Sequence, residues 1–290
     1  KERTAVCCLS SLNIETYDEW KDDTMFIEDV MRFLDNVMSD FINRAPDSFN
    51  NAKYSAARER SVGLGVMGLH SFFQQKNIPF GSVMSKVWNQ KIFKHIQEKA
   101  DQASVKLAEE RGSCPDAEEY GIKERFSNKT AIAPTASISV ICGGASPGIE
   151  PIAANSYTHK TLSGSFNVRN KYLAKILEKH GKNDDETWSS ITTNQGSVSH
   201  LDFLTDIEKD TFKTAFEIDQ RWIVELGADR TPHISQAQSV NIFVPADIHK
   251  KALHDIHFQA WKKGLKSLYY CRSKSIQRAE NVNNGSSTDV

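Results

Sequence analysis

An excess of charge of one sign is missing from this chain. Its 36 Lys and Arg stand against 37 Asp and Glu, for a formal net charge of −1. No basic excess is present to serve as a nucleic-acid footprint. Long apolar runs are missing too: none approaches the roughly 18 residues of a spanning helix, so no membrane partner is expected. The opening stretch, KERTAVCCLSSLNIETYDEW, lacks the apolar core and cleavage pattern of a secretory signal. Cysteine is sparse, with Cys7, Cys8, Cys114, Cys142 and Cys271. They form neither a disulfide ladder nor a CxxC metal or redox motif, and a reducing cytoplasm is the expected setting. The nine histidines show no ligand spacing. His254 and His257 share a helix face, but Asp255 between them points elsewhere, so no metal site is expected. No internal repeat is visible.

What is present is an ordinary soluble balance, 39% hydrophobic and 25% charged, over 290 residues. That length suits one large α/β domain or two small ones, and no internal boundary stands out. AVCCLSSLNI reads as a buried strand. Helical periodicity runs over 24–44, with Phe26, Ile27, Val30, Leu34, Val37, Met38 and Phe41 in one stripe and Asp23 as cap. A second helix is expected over 85–111, ending at Gly112, and a third over 208–226. A fourth is expected between Pro245 and Gly264, with Ile248, Ala252, Ile256 and Ala260 inward. Extended runs lie between them: TAIAP, YTHKTLSGSF, SVNIFV and SLYYC. This alternation argues for α/β, as a barrel or an open sheet. The polar, Gly/Ser-containing tail 276–290 is expected to be disordered.

GLGVMG matches G-x-G-x-x-G at Gly63, Gly65 and Gly68. The preceding AARERSV is no core strand, and no acid-ended strand follows at dinucleotide spacing. Glycine for close packing of a loop and the helix after it is the favoured reading. IAPTASISVICGG ends an apolar run at Pro134 and enters a helical turn through Thr135, Ala136, Ser137 and Ile138. Small residues, hydroxyls and free N–H groups there suit an anion, although the same residue types also cap helices with no ligand bound. Tyr269 and Tyr270, read alone, are strand aromatics that alternation sends to opposite faces.

Six ordered stretches carry a resemblance: AVCCLSSLN, RSVGLGVMGLHSFF, IAPTASIS followed by GIEP, YTHKTLSGSF, SQAQSVNIFV and GLKSLYY. Together they resemble the large, catalytic subunit family of class I ribonucleotide reductases, from about residue 4 to 273. The resemblance implies the C-terminal half of a ten-stranded α/β barrel over 1–275. It implies reduction of ribonucleoside diphosphates to deoxyribonucleotides by a radical mechanism. By position, Cys7 resembles the second member of the active-site redox pair, and Cys8 stays structural. Pro134, Thr135, Ala136, Ser137 and Ile138 resemble the substrate diphosphate loop. Tyr269 and Tyr270 resemble the paired tyrosines that carry the radical, so the strand should leave regular geometry there, and Cys271 is a bystander.

The resemblance further implies that this chain binds no cofactor. The radical would come from a metal-containing small subunit, ATP and dNTP effectors would bind outside this segment, and thioredoxin or glutaredoxin would supply electrons. The family's thiyl-radical cysteine and first half-barrel are not in this sequence, nor is a tail cysteine pair. A separate N-terminal half of the large subunit is therefore an expected partner. Glycyl-radical barrels are a second reading, but no RVxGY motif is found here. Cobalamin-dependent reductases lack the tyrosine relay. An inert half-barrel serving assembly is the non-enzyme alternative.

Overall fold

The computed structural model describes residues 2–161 and 164–274; the tail 276–290, expected to be disordered, lies outside the described residues. Its organising feature is a series of parallel lanes laid down in sequence order. The first two are β1 (Cys8–Asn13) and β2 (Val62–Met67), paired from Cys8↔Val62 to Asn13↔Met67. Parallel bridges Leu64↔Thr130 and Ile132↔Gln238 add a third and fourth lane. The fourth lane continues into β5 (Ile242–Val244), which pairs in parallel with β6 (Cys271–Ser273), the fifth lane. Apart from these lies an antiparallel hairpin of β3 (Ser156–Thr161) and β4 (Gly164–Arg169). The described residues of YTHKTLSGSF therefore belong to two paired strands, not one extended run.

Alternation along the lanes separates two faces. Leu12, Val62, Leu64, Val66 and Ile132 join the main core. Helices cover that side: Phe26–Arg44, Leu69–Gln75, Val83–Arg111 and Gln220–Arg230. The first begins where Asp23 Oδ1 accepts the Met25 and Phe26 N–H groups, the expected cap. The third opens with a capping box, Ser82 with Ser85, and ends at Gly112 with φ 87°. A second core, around Trp188, Leu173 and Phe212, gathers the segments that follow the hairpin.

Asp35 lies fully buried behind the lanes, bonded to Arg60, Arg111 and Arg125. Burial alone would push its carboxyl up, but hydrogen bonds from Arg125 and Arg111 and the charge of Arg60 outweigh it and hold it low. The cluster binds the first helix to the end of the third and to the segment entering the third lane.

Two helix expectations change. The run 208–226 is broken into Asp206–Thr211 and Gln220–Arg230. Glu217 accepts the Thr214 N–H at 2.8 Å, Ala215 N–H donates to the Ile152 carbonyl at 2.7 Å, and Asp219 caps the second piece. These bonds occupy the backbone groups a continuous helix needs. The helix expected between Pro245 and Gly264 spans Lys250–Lys262, and of its four expected inward residues only Ala260 is fully buried, while Ala252 is exposed. TAIAP forms only single bridges, and SLYYC enters the sheet at Cys271. Among the described residues, no helix is long and apolar enough to cross a membrane.

Candidate functional site

The face of the lanes away from the main helical core carries Cys7, Leu9 and Ser11 beside Gly63 and Gly65. A Cβ on Gly63 would sit 2.5 Å from Leu9 Cδ2, 2.9 Å from Ala131 Cβ and 3.1 Å from Cys7 Sγ. On Gly65 it would sit 2.2 Å from the Ala131 carbonyl oxygen. The glycines thus serve close approach, as expected, but two of the three lie inside a buried strand rather than a loop. Only Gly68, at φ 85°, makes the turn into the next helix.

Adjacent cysteines on an extended segment point to opposite sides, and this separates Cys7 from Cys8. Cys8 packs against the main core. Cys7 is half-buried on the other face, where Gln236 Nε2 donates to its sulfur at 3.2 Å and to the Val62 carbonyl at 2.9 Å. Burial pushes the Cys7 thiol up, and hydrogen bonds from Gln236 and Ser61 pull it partly back. Both donors favour the thiolate, the form that reacts.

The third lane runs out at Pro134 into a tight loop. Thr135 takes φ 54°, rare for a β-branched residue, and its hydroxyl accepts the Gly148 N–H at 2.7 Å. Gly148, at φ 49°, lies where a Cβ would come 3.1 Å from the Ala133 carbonyl oxygen. The loop is thereby folded back on itself, ahead of the one-turn helix Ile138–Ile141. Pro134, Ala136, Ser137 and Ile138 are exposed. Among the described residues the N–H groups of Ala136, Ser137 and Ile138 make no hydrogen bond. Of the two hydroxyls expected to face an anion, that of Thr135 is buried and accepts from Gly148, which leaves its O–H to donate. Ser137 remains on the surface.

The tyrosine pair departs from regular pairing in an identifiable way. Tyr269 N–H donates to the Val240 carbonyl at 2.8 Å. A regular parallel ladder would return the next bond from Ile242 N–H to the carbonyl of Tyr269. It goes to Tyr270 instead, at 3.0 Å. One extra residue sits on this lane, a β-bulge at Tyr270, and its displaced N–H donates to Asn241 Oδ1 at 3.0 Å. The bulge cancels the alternation that would have parted the rings. Their centroids are 4.1 Å apart with planes at 50°, and the Tyr269 hydroxyl donates to that of Tyr270 at 3.4 Å. That bond is long against the about 2.7–2.8 Å of a full O–H···O bond. Both rings are half exposed, and the Arg272 guanidinium lies 5.6 Å from the Tyr270 ring centroid. The hydrogen bond with Tyr270 pushes the Tyr269 phenol up.

The structure therefore brings Tyr269 and Tyr270 into contact and joins them through Asn241 to Glu150, at the far end of the segment that begins with Pro134. Cys7 lies at the head of the first lane and, among the described residues, shares no hydrogen bond with the pair. Gln236, Asn241 and Glu150 were not singled out from the sequence, although SQAQSVNIFV and GIEP contain them. Their polar side chains at the margins of apolar runs were the available signal.

The ribonucleotide reductase barrel domain family model matches residues 1–124 and 115–271. A ribonucleoside-diphosphate reductase large subunit of Invertebrate iridescent virus 6 is 50% identical over 284 residues, covering 97% of this chain and 29% of the relative. That of Invertebrate iridescent virus 3 is 43% identical, covering 99% and 46%. Among solved structures, the Actinobacillus ureae class Id ribonucleotide reductase alpha subunit superposes with a TM-score of 0.88 at 39% identity, covering 98% of this chain and 52% of that one. The chain spans half or less of the length of these curated relatives.

Proposed function

The chain belongs to the ribonucleotide reductase barrel-domain family, and from that premise we propose that it is part of a catalytic subunit that reduces ribonucleoside diphosphates to 2′-deoxyribonucleotides by radical chemistry. The observation that carries the reading is the phenol–phenol contact of Tyr269 and Tyr270, maintained by a bulge where regular strand geometry would separate them. Ring packing favours an aromatic pair but does not call for two hydroxyls within reach of each other. A chain of transfers does, because each phenol can release a proton and an electron together to a neighbour within hydrogen-bond reach.

In this reading the Tyr269–Tyr270 pair passes oxidising equivalents from a metal-containing small subunit toward a thiyl cysteine supplied by the first half of the large subunit. The Pro134–Ile138 loop holds the diphosphate on its free N–H groups and Ser137. Cys7 and a second thiol outside this segment supply the reducing equivalents. Both thiols lose hydrogen and join as a disulfide, the ribose 2′-hydroxyl leaves as water, and a C–H bond takes its place. Thioredoxin or glutaredoxin then returns the disulfide to two thiols by exchange. ATP and dNTP effectors bind outside this segment, and this chain holds no cofactor of its own.

The test is reconstitution. The chain is combined with the first half of a large subunit, a small subunit, a dithiol reductant and a ribonucleoside diphosphate, and deoxynucleotide is measured. Formation that needs this chain is expected. No product, with a full-length reductase active beside it, overturns the reading in favour of an inert assembly module.

A further inference from the structure

The bulge at Tyr270 has a structural cost. Its N–H is displaced from the ladder, and an amide with no partner would favour returning the strand to regular pairing, which parts the rings. Asn241 removes that incentive. It is buried, its Oδ1 accepts the Tyr270 N–H at 3.0 Å, and its Nδ2 donates to the Glu150 carboxylate. An asparagine is suited to this place because one side chain offers both an acceptor and a donor. Glu150 in turn ends the segment that the Thr135–Gly148 bond folds back. We propose that Asn241, anchored by Glu150, is a positioning residue for the tyrosine pair: it stabilises the bulge that sets the two phenols ring to ring and ties that geometry to the Pro134–Ile138 loop.

The inference deepens the reductase reading and rests on it for the meaning of the phenol contact. The geometry itself is testable without turnover. In the chain carrying tyrosine labelled with carbon-13 at Cζ, Tyr269 and Tyr270 are assigned by their Phe variants and titrated, and contacts between the two rings are read from nuclear Overhauser effects. In the unsubstituted chain Tyr269 titrates above an ordinary tyrosine, and the inter-ring effects are present. Asn241→Ala is expected to abolish the effects and return Tyr269 toward the ordinary value. Glu150→Gln keeps an oxygen for Asn241 and is expected to preserve both signals, whereas Glu150→Ala weakens them.

Unchanged titration and contacts in Asn241→Ala overturn the proposal. Should that variant fail to fold, Asn241→Asp is the deciding chain. It keeps an oxygen for Tyr270 but, when ionised, offers Glu150 no N–H, so the contacts are expected to weaken as in Glu150→Ala, and contacts unchanged from the parent overturn the proposal. Loss of the ring contact in a chain that never supports deoxynucleotide formation would sink the reductase reading and leave the positioning role standing.

Discussion

The two faces of the parallel lanes are built from the same strands and do different work. On one, Val62, Leu64 and Val66 disappear under helices, and each is fully buried. On the other, the neighbouring residues are Gly63, Gly65, Cys7 and Ser11, and Leu9 is 54% exposed. Large apolar side chains supply the packing energy of the first face. Small and polar ones leave the second face open and place a thiol on it. The tyrosines extend the lesson. Where two successive side chains must share one side, alternation has to be broken, and the bulge at Tyr270 breaks it.

The largest expected effect is at the tyrosine pair. In the reconstituted reductase, Tyr269→Phe and Tyr270→Phe should each abolish turnover, since phenylalanine keeps the ring and lacks the transferable proton. Thermal unfolding should move by no more than about 0.5 kcal/mol, as for half-exposed substitutions generally. Normal turnover in either variant would remove the relay assignment.

Behind the core face the effect should reverse, with stability lost. Asp35→Asn leaves three arginines without their shared carboxylate and should cost about 3–5 kcal/mol in denaturant unfolding at neutral pH. Because the Asp35 carboxyl is held low, its contribution is present above the usual carboxylate range and fades as pH falls through its folded value. The difference between variant and parent should therefore shrink in acid. A constant difference across pH would show that the charge of Asp35 is not what matters.

Gln236→Leu sharpens the comparison at a single thiol. Removing the donor should raise the pH at which Cys7 reacts with iodoacetamide, in a chain whose other cysteines are replaced. An unmoved profile would show that the 3.2 Å contact does not act on the sulfur. The smallest expected effect is Cys8→Ser, a modest core change worth about 1 kcal/mol.

Much of this was legible in the sequence where patterns are local. The helical stripe through Ile27, Leu34 and Met38 and the stop at Gly112 depend on periodicity and capping within a few residues. The divided helix at 208–226 was not legible, because its break is fixed by Ile152, a residue distant in sequence that accepts from Ala215. The tyrosine pair could be located, and a departure from strand geometry could be required of it. The agents of that departure, Asn241 and Glu150, could not be named, since their contacts span 29 and 91 positions along the chain. The structural bond of the Thr135 hydroxyl was not legible for a like reason: the N–H it accepts belongs to Gly148, thirteen residues on.

The division of labour between the faces comes to a point at two adjacent sulfurs. In the reconstituted reductase, sustained deoxynucleotide formation is measured over many turnovers for Cys7→Ser and Cys8→Ser beside the parent. The account predicts that Cys7→Ser stops sustained turnover and that Cys8→Ser, once folded, keeps it. Sustained turnover without Cys7, or its loss on replacing Cys8 alone in a folded chain, would contradict the assignment of chemistry to the open face.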